Sequence, residues 1–141
     1  MSLRPYLHTV QYYETDSMRI VHHSNYVRWM EEARCDLLEQ MDMGYAGIEE
    51  AGILIPVLSV SCRYKSMTRF GETVRIFSHL TSYSGGRFAL RYEIRYAETG
   101  ELRCEAESEH CFLGAGGVPV SIRRKFPEWD RKFRENVEEK S

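Results

Sequence analysis

ETDSMRIVHHSNYVRWMEEAR, from Glu14 to Arg34, is where the chain changes character. Before it, YLHTVQYY (Tyr6 to Tyr13) carries β-branched and aromatic residues without Gly or Pro, which suits a strand. The polar Glu14-Thr15-Asp16-Ser17 reads as the turn that ends it. From Asn25 the apolar positions take a helical period: Tyr26, Met30, Ala33, Leu37 and Met41 recur at steps of three and four, with Glu31, Glu32, Arg34 and Glu39 off that stripe. Ser24 fits as the N-cap and Gly44 as the stop just past the end. The stretch therefore predicts a strand, a polar loop and a helix of about five turns.

Further along, four β-rich runs follow Gly52: ILIPVLSVSCRYKSM, ETVRIFSHLTSY, RFALRYEIRYAE and ELRCEAESEHCFL. Turn material at Arg69-Phe70-Gly71, Ser84-Gly85-Gly86 and Thr99-Gly100 divides them. Phe88, Leu90, Tyr92, Ile94 and Tyr96 alternate with Arg91, Glu93 and Arg95, as in an antiparallel meander with one solvated face. Pro56 places the opening of its run at an edge or a bulge. Phe126, Trp129, Phe133 and Val137 share a helical stripe, with Pro127 suited to a first turn, so a short terminal helix should pack on the sheet. The whole reads as one α+β domain over residues 1–141, a long helix against a five-stranded antiparallel sheet. One helical layer cannot cover both sheet faces, so a second subunit is expected.

Composition narrows the function classes. Nineteen Lys and Arg against 21 Asp and Glu, a formal charge of −2, are mixed along the chain, which leaves no field for a nucleic-acid backbone. No apolar run approaches the ~18 residues of a membrane span, and MSLRPYLHTV lacks the apolar centre of a secretory signal. A cytoplasmic protein without integral membrane association is expected. Cys35, Cys62, Cys104 and Cys111 form no CxxC pair and have no His at zinc-ligand spacing, so they read as small buried hydrophobes in a reducing compartment. No metal or redox cofactor is implied. His8, His79 and His110 lie within strand patterns, have no partner in sequence and read as structural.

The pattern Tyr12-x-x-x-Asp16, then His23-x-Asn25-Tyr26 seven residues on, then Ala33-Arg34 in the helix, resembles the signature of the hotdog-fold acyl-CoA thioesterases of the 4-hydroxybenzoyl-CoA thioesterase type. The element order agrees with that fold across nearly the whole chain. The resemblance implies a homodimer or homotetramer that hydrolyses an acyl-CoA, or an acyl carrier protein thioester, to free acid and thiol. It also implies three catalytic roles: Asp16 as nucleophile or general base, His23 orienting the water or Asp16, and Tyr12 hydrogen-bonding the same cluster. These residue types have a chemical rationale of their own. N–H groups at a helix N-terminus, here around His23 and Ser24, wait where negative charge develops on a thioester carbonyl. A carboxylate beside them can attack the carbonyl carbon or deprotonate water.

Asn25 is expected to bond loop backbone beside the substrate, Tyr26 to pack on the inner face of the helix, and His22 to fill space where relatives often carry an aromatic ring. Relatives usually have small residues, often glycine, where this chain has Ser17-Met18-Arg19. Met18 would narrow the acyl pocket, and Arg19 would face solvent, a CoA phosphate or an acidic acyl group. For the CoA phosphates the basic residues on offer are Arg63, Lys65, Arg87 and the Arg123-Arg124-Lys125 run, of which Arg87 beside the Ser84 turn is preferred. Met18, Arg19, Ser24, Asn25 and Arg87 thus form the expected substrate-binding set. A rival carboxylate pair, Glu31 and Glu32, lies on the helix, where other hotdog thioesterases place theirs. A second reading is a hotdog module that binds acyl-CoA or an acyl carrier protein but turns it over poorly, supported by the Met18-Arg19 departure. A purely structural dimer would bind no CoA ester.

Overall fold

The computed structural model describes residues 3–138. Its elements are β1 (Tyr6–Thr9), a 3-10 turn (Tyr12–Glu14), α1 (Ser24–Gln40), α2 (Tyr45–Glu50), β2 (Val57–Tyr64), β3 (Thr73–Tyr83), β4 (Arg87–Tyr96), β5 (Leu102–Cys111), a second 3-10 turn (Ala115–Gly117), α3 (Ile122–Lys125) and α4 (Pro127–Asn136). The five strands form one antiparallel sheet in the order β1-β3-β4-β5-β2. Only β3, β4 and β5 are a meander, which corrects the expected run of four. β1 and β4 occupy both edges of β3, so β2 crosses to the far side and pairs with β5 from Val57↔His110 to Tyr64↔Cys104. Pro56 directly precedes this edge strand, and a bulge lies between Val57 and Ser59, in keeping with the edge or bulge that the proline predicts.

Helix α1 lies under the sheet and buries a wider face than the stripe alone: Asn25, Tyr26, Trp29, Met30, Ala33, Arg34, Leu37 and Leu38. Phe88, Leu90, Tyr92 and Ile94 of β4 alternate inward as expected. Arg34, expected off the buried stripe, is only 5 % exposed. Its Nη1 donates to Tyr92 Oη at 3.4 Å, and the chain continues through Ser108 Oγ (2.8 Å) to His110 Nε2 (2.8 Å). Burial, with the Arg34 guanidinium nearby, pushes the His110 imidazole down to about 4, so it is neutral at pH 7.

The end of α1 corrects the expected glycine stop. Met41 is the C-cap, and Asp42 takes the left-handed conformation at φ 58°. Met43 N–H donates to Leu38 O at 2.8 Å and Asp42 N–H to Glu39 O at 3.0 Å, which closes a Schellman motif. Gly44 instead starts the unforeseen α2. At the C-terminus Pro127 opens α4 as expected, and Phe133 stacks on Tyr83 and packs against Phe88 and Phe112.

The outer face of the sheet is charged, with Arg91 opposite Glu107 and Glu93 opposite Glu105. Apolar side chains left open to solvent collect instead on the edge strand β2, at Val57, Leu58, Val60 and Tyr64. No described helix is long and apolar enough to cross a membrane.

Candidate active site

The first strand ends at Thr9, earlier than the sequence predicts, and Tyr12 to Glu14 turn back toward α1. Glu14 causes this. It is only 4 % exposed, and its carboxylate accepts from Trp29 Nε1 (2.6 Å), His8 Nε2 (2.8 Å) and Gln11 N–H (2.8 Å). Its main-chain oxygen accepts from Asn25 Nδ2 (2.8 Å) and His22 N–H (2.9 Å). Burial alone would raise this carboxyl, but the donors at Gln11, His8 and Trp29 together hold it below the ordinary carboxylate value. One buried side chain therefore ties β1, the turn and α1 into a single rigid corner. His8, read as partnerless, belongs to that corner, between Glu14 and Glu32 and against the Trp29 ring.

Asp16 follows two residues later. Ser17-Met18-Arg19 form a three-residue loop closed by Asp16 N–H to Ile20 O (2.8 Å) and Arg19 N–H to Asp16 O (2.9 Å). Asp16 Oδ1 accepts from Met18 N–H at 2.8 Å, which fixes the carboxylate over its own loop. Arg19 sits at φ 66°, the position a hairpin of this kind usually gives to glycine. For an arginine this costs about 1 kcal/mol.

At the start of α1, Ser24 does not act as the N-cap. His23 occupies that position with helical backbone angles, and the Ser24 hydroxyl turns to His22 Nδ1 at 2.9 Å. Ser24 N–H also donates to His22 Nδ1, at 3.2 Å, so His22 does a cap's work rather than filling space. Asn25 N–H and Tyr26 N–H are used by His22 O and His23 O. This leaves His23 N–H as the backbone donor at this terminus with no hydrogen bond among the described residues. Tyr64 of β2 donates to His23 O at 3.3 Å, and its hydroxyl is pushed up to about 12 by burial and by Cys62, which keeps it a donor.

Two cavities meet at Asp16. The larger, of about 540 Å³, is bounded by Asp16, Met18, Ile20, Val21, His23 and Tyr26 on one side and by the Tyr64–Met67 segment on the other. The smaller, of about 360 Å³, lies between Tyr12, Thr15, Asp16, Arg19 and Phe70. The wall from Met67 to Glu72 is held by Arg103, which donates to Met67 O (2.8 Å) and to both Glu72 oxygens (3.0 and 3.3 Å).

Asp16, Met18 and His23 are thus brought together, and Tyr12 and Arg19 share the adjoining cavity. Tyr12 is 78 % exposed with its ring edge-on to Phe70, and its hydroxyl makes no hydrogen bond among the described residues. Ser24 and Asn25 line neither cavity, and the Asn25 amide is engaged by the backbone of Glu14 and His22. Glu31 and Glu32 also lie outside both. Lys65 borders the larger cavity, whereas Arg63 faces the charged outer surface. Arg87 opens β4 while the Asp16 loop lies by its far end, near Tyr96, roughly 30 Å along the strand. Glu14, Tyr64 and Met67 were not foreseen. The Gln11-to-Glu14 capping-box spacing is the one local hint of any of them.

Residues 10–137 match the model of the Thioesterase-like superfamily. A Bacillus subtilis (strain 168) protein, YneP, provisionally named an acyl-CoA thioesterase, is 35% identical over 125 residues, covering 88% of this chain and 90% of its own. The crystal structure of a DHNA-CoA thioesterase from Staphylococcus aureus superposes with a TM-score of 0.89 at 30% identity, over 94% of this chain and 89% of that one. A 1,4-dihydroxy-2-naphthoyl-CoA hydrolase from Thermosynechococcus vestitus is 26% identical over 129 residues, 90% of this chain and 88% of that one. A match across nearly the full domain, with the same fold beneath it, makes this chain a hotdog-fold thioester hydrolase belonging to the Thioesterase-like superfamily.

Proposed function

We propose that the chain hydrolyses an acyl-CoA thioester to free acid and CoA at the Asp16 loop. The observation that carries this reading is that His23, whose N–H has no hydrogen bond among the described residues, lines the same cavity as Asp16. A thioester carbonyl oxygen set on that N–H, at the positive end of α1, becomes more electrophilic at carbon, and the charge that develops on it is stabilised. The Asp16 carboxylate then either attacks the carbon, expelling the thiolate and leaving a mixed anhydride that water opens, or takes a proton from water as the water attacks. Both routes yield the same acid and thiol. The His23 ring, edge-on to Tyr64, would orient the water. The apolar surfaces of Met18, Ile20, Tyr26, Tyr64 and Met67 would hold the acyl group. The named activities of the relatives support the CoA ester.

His23→Pro against His23→Ala tests the donor. His23 has φ −55°, which proline accepts, so proline removes the N–H while alanine removes only the ring. Turnover by the proline variant should fall about 10²–10³-fold below that of the alanine variant. Equal turnover by two folded variants would discard the N–H.

Arg87 enters through a second chain. Two β2 edges paired antiparallel about a two-fold axis would bring the Tyr64 end of one protomer to the Val57 end of its partner, and Arg87 lies by that end, opposite Cys111. Its guanidinium would then serve the partner's CoA phosphates. Mixing Asp16→Asn chains with Arg87→Ala chains should restore activity through one intact site per heterodimer. If mixing restores nothing, Arg87 has no role across the interface.

A further inference from the structure

We propose that the smaller cavity, between Tyr12, Phe70 and Arg19, recognises an anionic group of the substrate, with Arg19 as the residue that sets specificity; this rests on the thioesterase reading of Asp16. The backbone supplies the first reason. Among the described residues only Arg19 and Asp42 combine a side chain with a positive φ. Asp42 needs no further explanation, because a short polar side chain is tolerated there and the Schellman bonds close the helix around it. Arginine has no such excuse. The loop from Asp16 to Ile20 makes its hydrogen bonds through the main chain and through Asp16, and glycine would serve them without strain.

Placement supplies the second. Arg19 shares the cavity with Asp16, and its guanidinium has no hydrogen bond or ion pair among the described residues. Tyr12 and Phe70, 78 % and 59 % exposed, stand edge to face at 5.8 Å and give this cavity an aromatic wall. An anionic arm lying here would be repelled by the Asp16 carboxylate, and a guanidinium beside it offsets that repulsion while presenting a planar fork to carboxylate or phosphate oxygens.

The anion has two possible sources, a carboxylate on the acyl group or a phosphate of CoA, and four substrates separate them. A dicarboxylic acyl group and a neutral one of equal length are each presented as the CoA ester and as the N-acetylcysteamine ester, which has no phosphate. Wild type is compared with Arg19→Gly, chosen because it also relieves the backbone and so should fold at least as well. If the acyl carboxylate is bound, Arg19→Gly lowers kcat/KM for both dicarboxylic esters by about tenfold or more relative to the neutral ones. If a CoA phosphate is bound, it raises KM about as much for both CoA esters and leaves both N-acetylcysteamine esters unchanged. Kinetics within twofold of wild type on all four would overturn the proposal. Failure of the thioesterase reading looks different, since wild type would then release no thiol from any ester. Calorimetric titration of wild type and Arg19→Gly with CoA and with the free diacid then decides, equal affinities overturning the anion site.

Discussion

Replacing Glu14 by glutamine changes one atom in the corner that holds the site, and the structure gives the size of the effect. The carboxylate accepts three hydrogen bonds, from Trp29 Nε1, His8 Nε2 and Gln11 N–H, and Trp29 is fully buried. An amide can still accept from the indole, but its NH2 must then face the Gln11 N–H and the His8 ring, and the charge that strengthens all three bonds is gone. Loss of charge-assisted bonds with one donor left facing another should cost about 2 kcal/mol. In a domain of this size that lowers Tm by about 6–8 °C. Since Asp16 is two residues away, turnover should fall as well, by up to about 10²-fold if the carboxylate moves by an ångström. Urea unfolding of Glu14→Gln, Trp29→Phe and the double variant reads the coupling, expected at about 1 kcal/mol or more. The pH dependence has a definite sign. The folded carboxyl lies below its ordinary 4.5, so the stability it contributes is complete above that value and is lost as pH falls through the folded value beneath it. Glu14→Gln should flatten this acid limb. Additive effects with less than about 0.5 kcal/mol of coupling would refute the idea that Glu14 and Trp29 hold the corner jointly.

His110 governs a different window. Its imidazole falls from 6.5 when unfolded to about 4 when buried, so stability is complete above pH 6.5 and declines toward pH 4, by roughly 3 kcal/mol at about 1.4 kcal/mol per pH unit. Thermal unfolding between these values should show the decline in wild type and lose most of it in His110→Gln. Glu72→Gln deprives the buried Arg103 of one of its two charged partners and loosens the Met67–Glu72 wall. The expected loss is about 2–3 kcal/mol in urea, short of a fully broken buried pair because Glu101 still binds Arg103 Nε at 2.7 Å. Unfolding at the wild-type midpoint would show that Arg103 needs no second carboxylate.

Much of this could be read from the chain because the signals are local. The Tyr26-to-Met41 stripe, the alternation of Phe88 to Ile94 and Pro127 ahead of Phe133 depend on period and backbone sterics, and the elements stand where they point. The Asp16 and His23 spacing placed both residues on the larger cavity. What stayed hidden depends on pairing at a distance. Nothing near Val57 to Tyr64 says that both edges of β3 are taken, so β2 looked like the next strand of a meander. Arg34 looks solvated until Tyr92, 58 residues on, meets it inside. Glu14 looks like an ordinary turn carboxylate because its donors come from β1 and from the middle of α1. The helix stop fell at Asp42 rather than Gly44 because a Schellman closure needs one left-handed residue, which aspartate tolerates and the chain's geometry placed two positions early.

Thiol release from short, long, aromatic and dicarboxylic acyl-CoAs, with wild type and Asp16→Asn side by side and equally folded, tests the central role of Asp16 most directly. Wild type should turn over at least one ester class about 10²-fold or more faster than the asparagine variant. An Asp16→Asn variant that releases thiol as fast as wild type would show that the chemistry lies elsewhere.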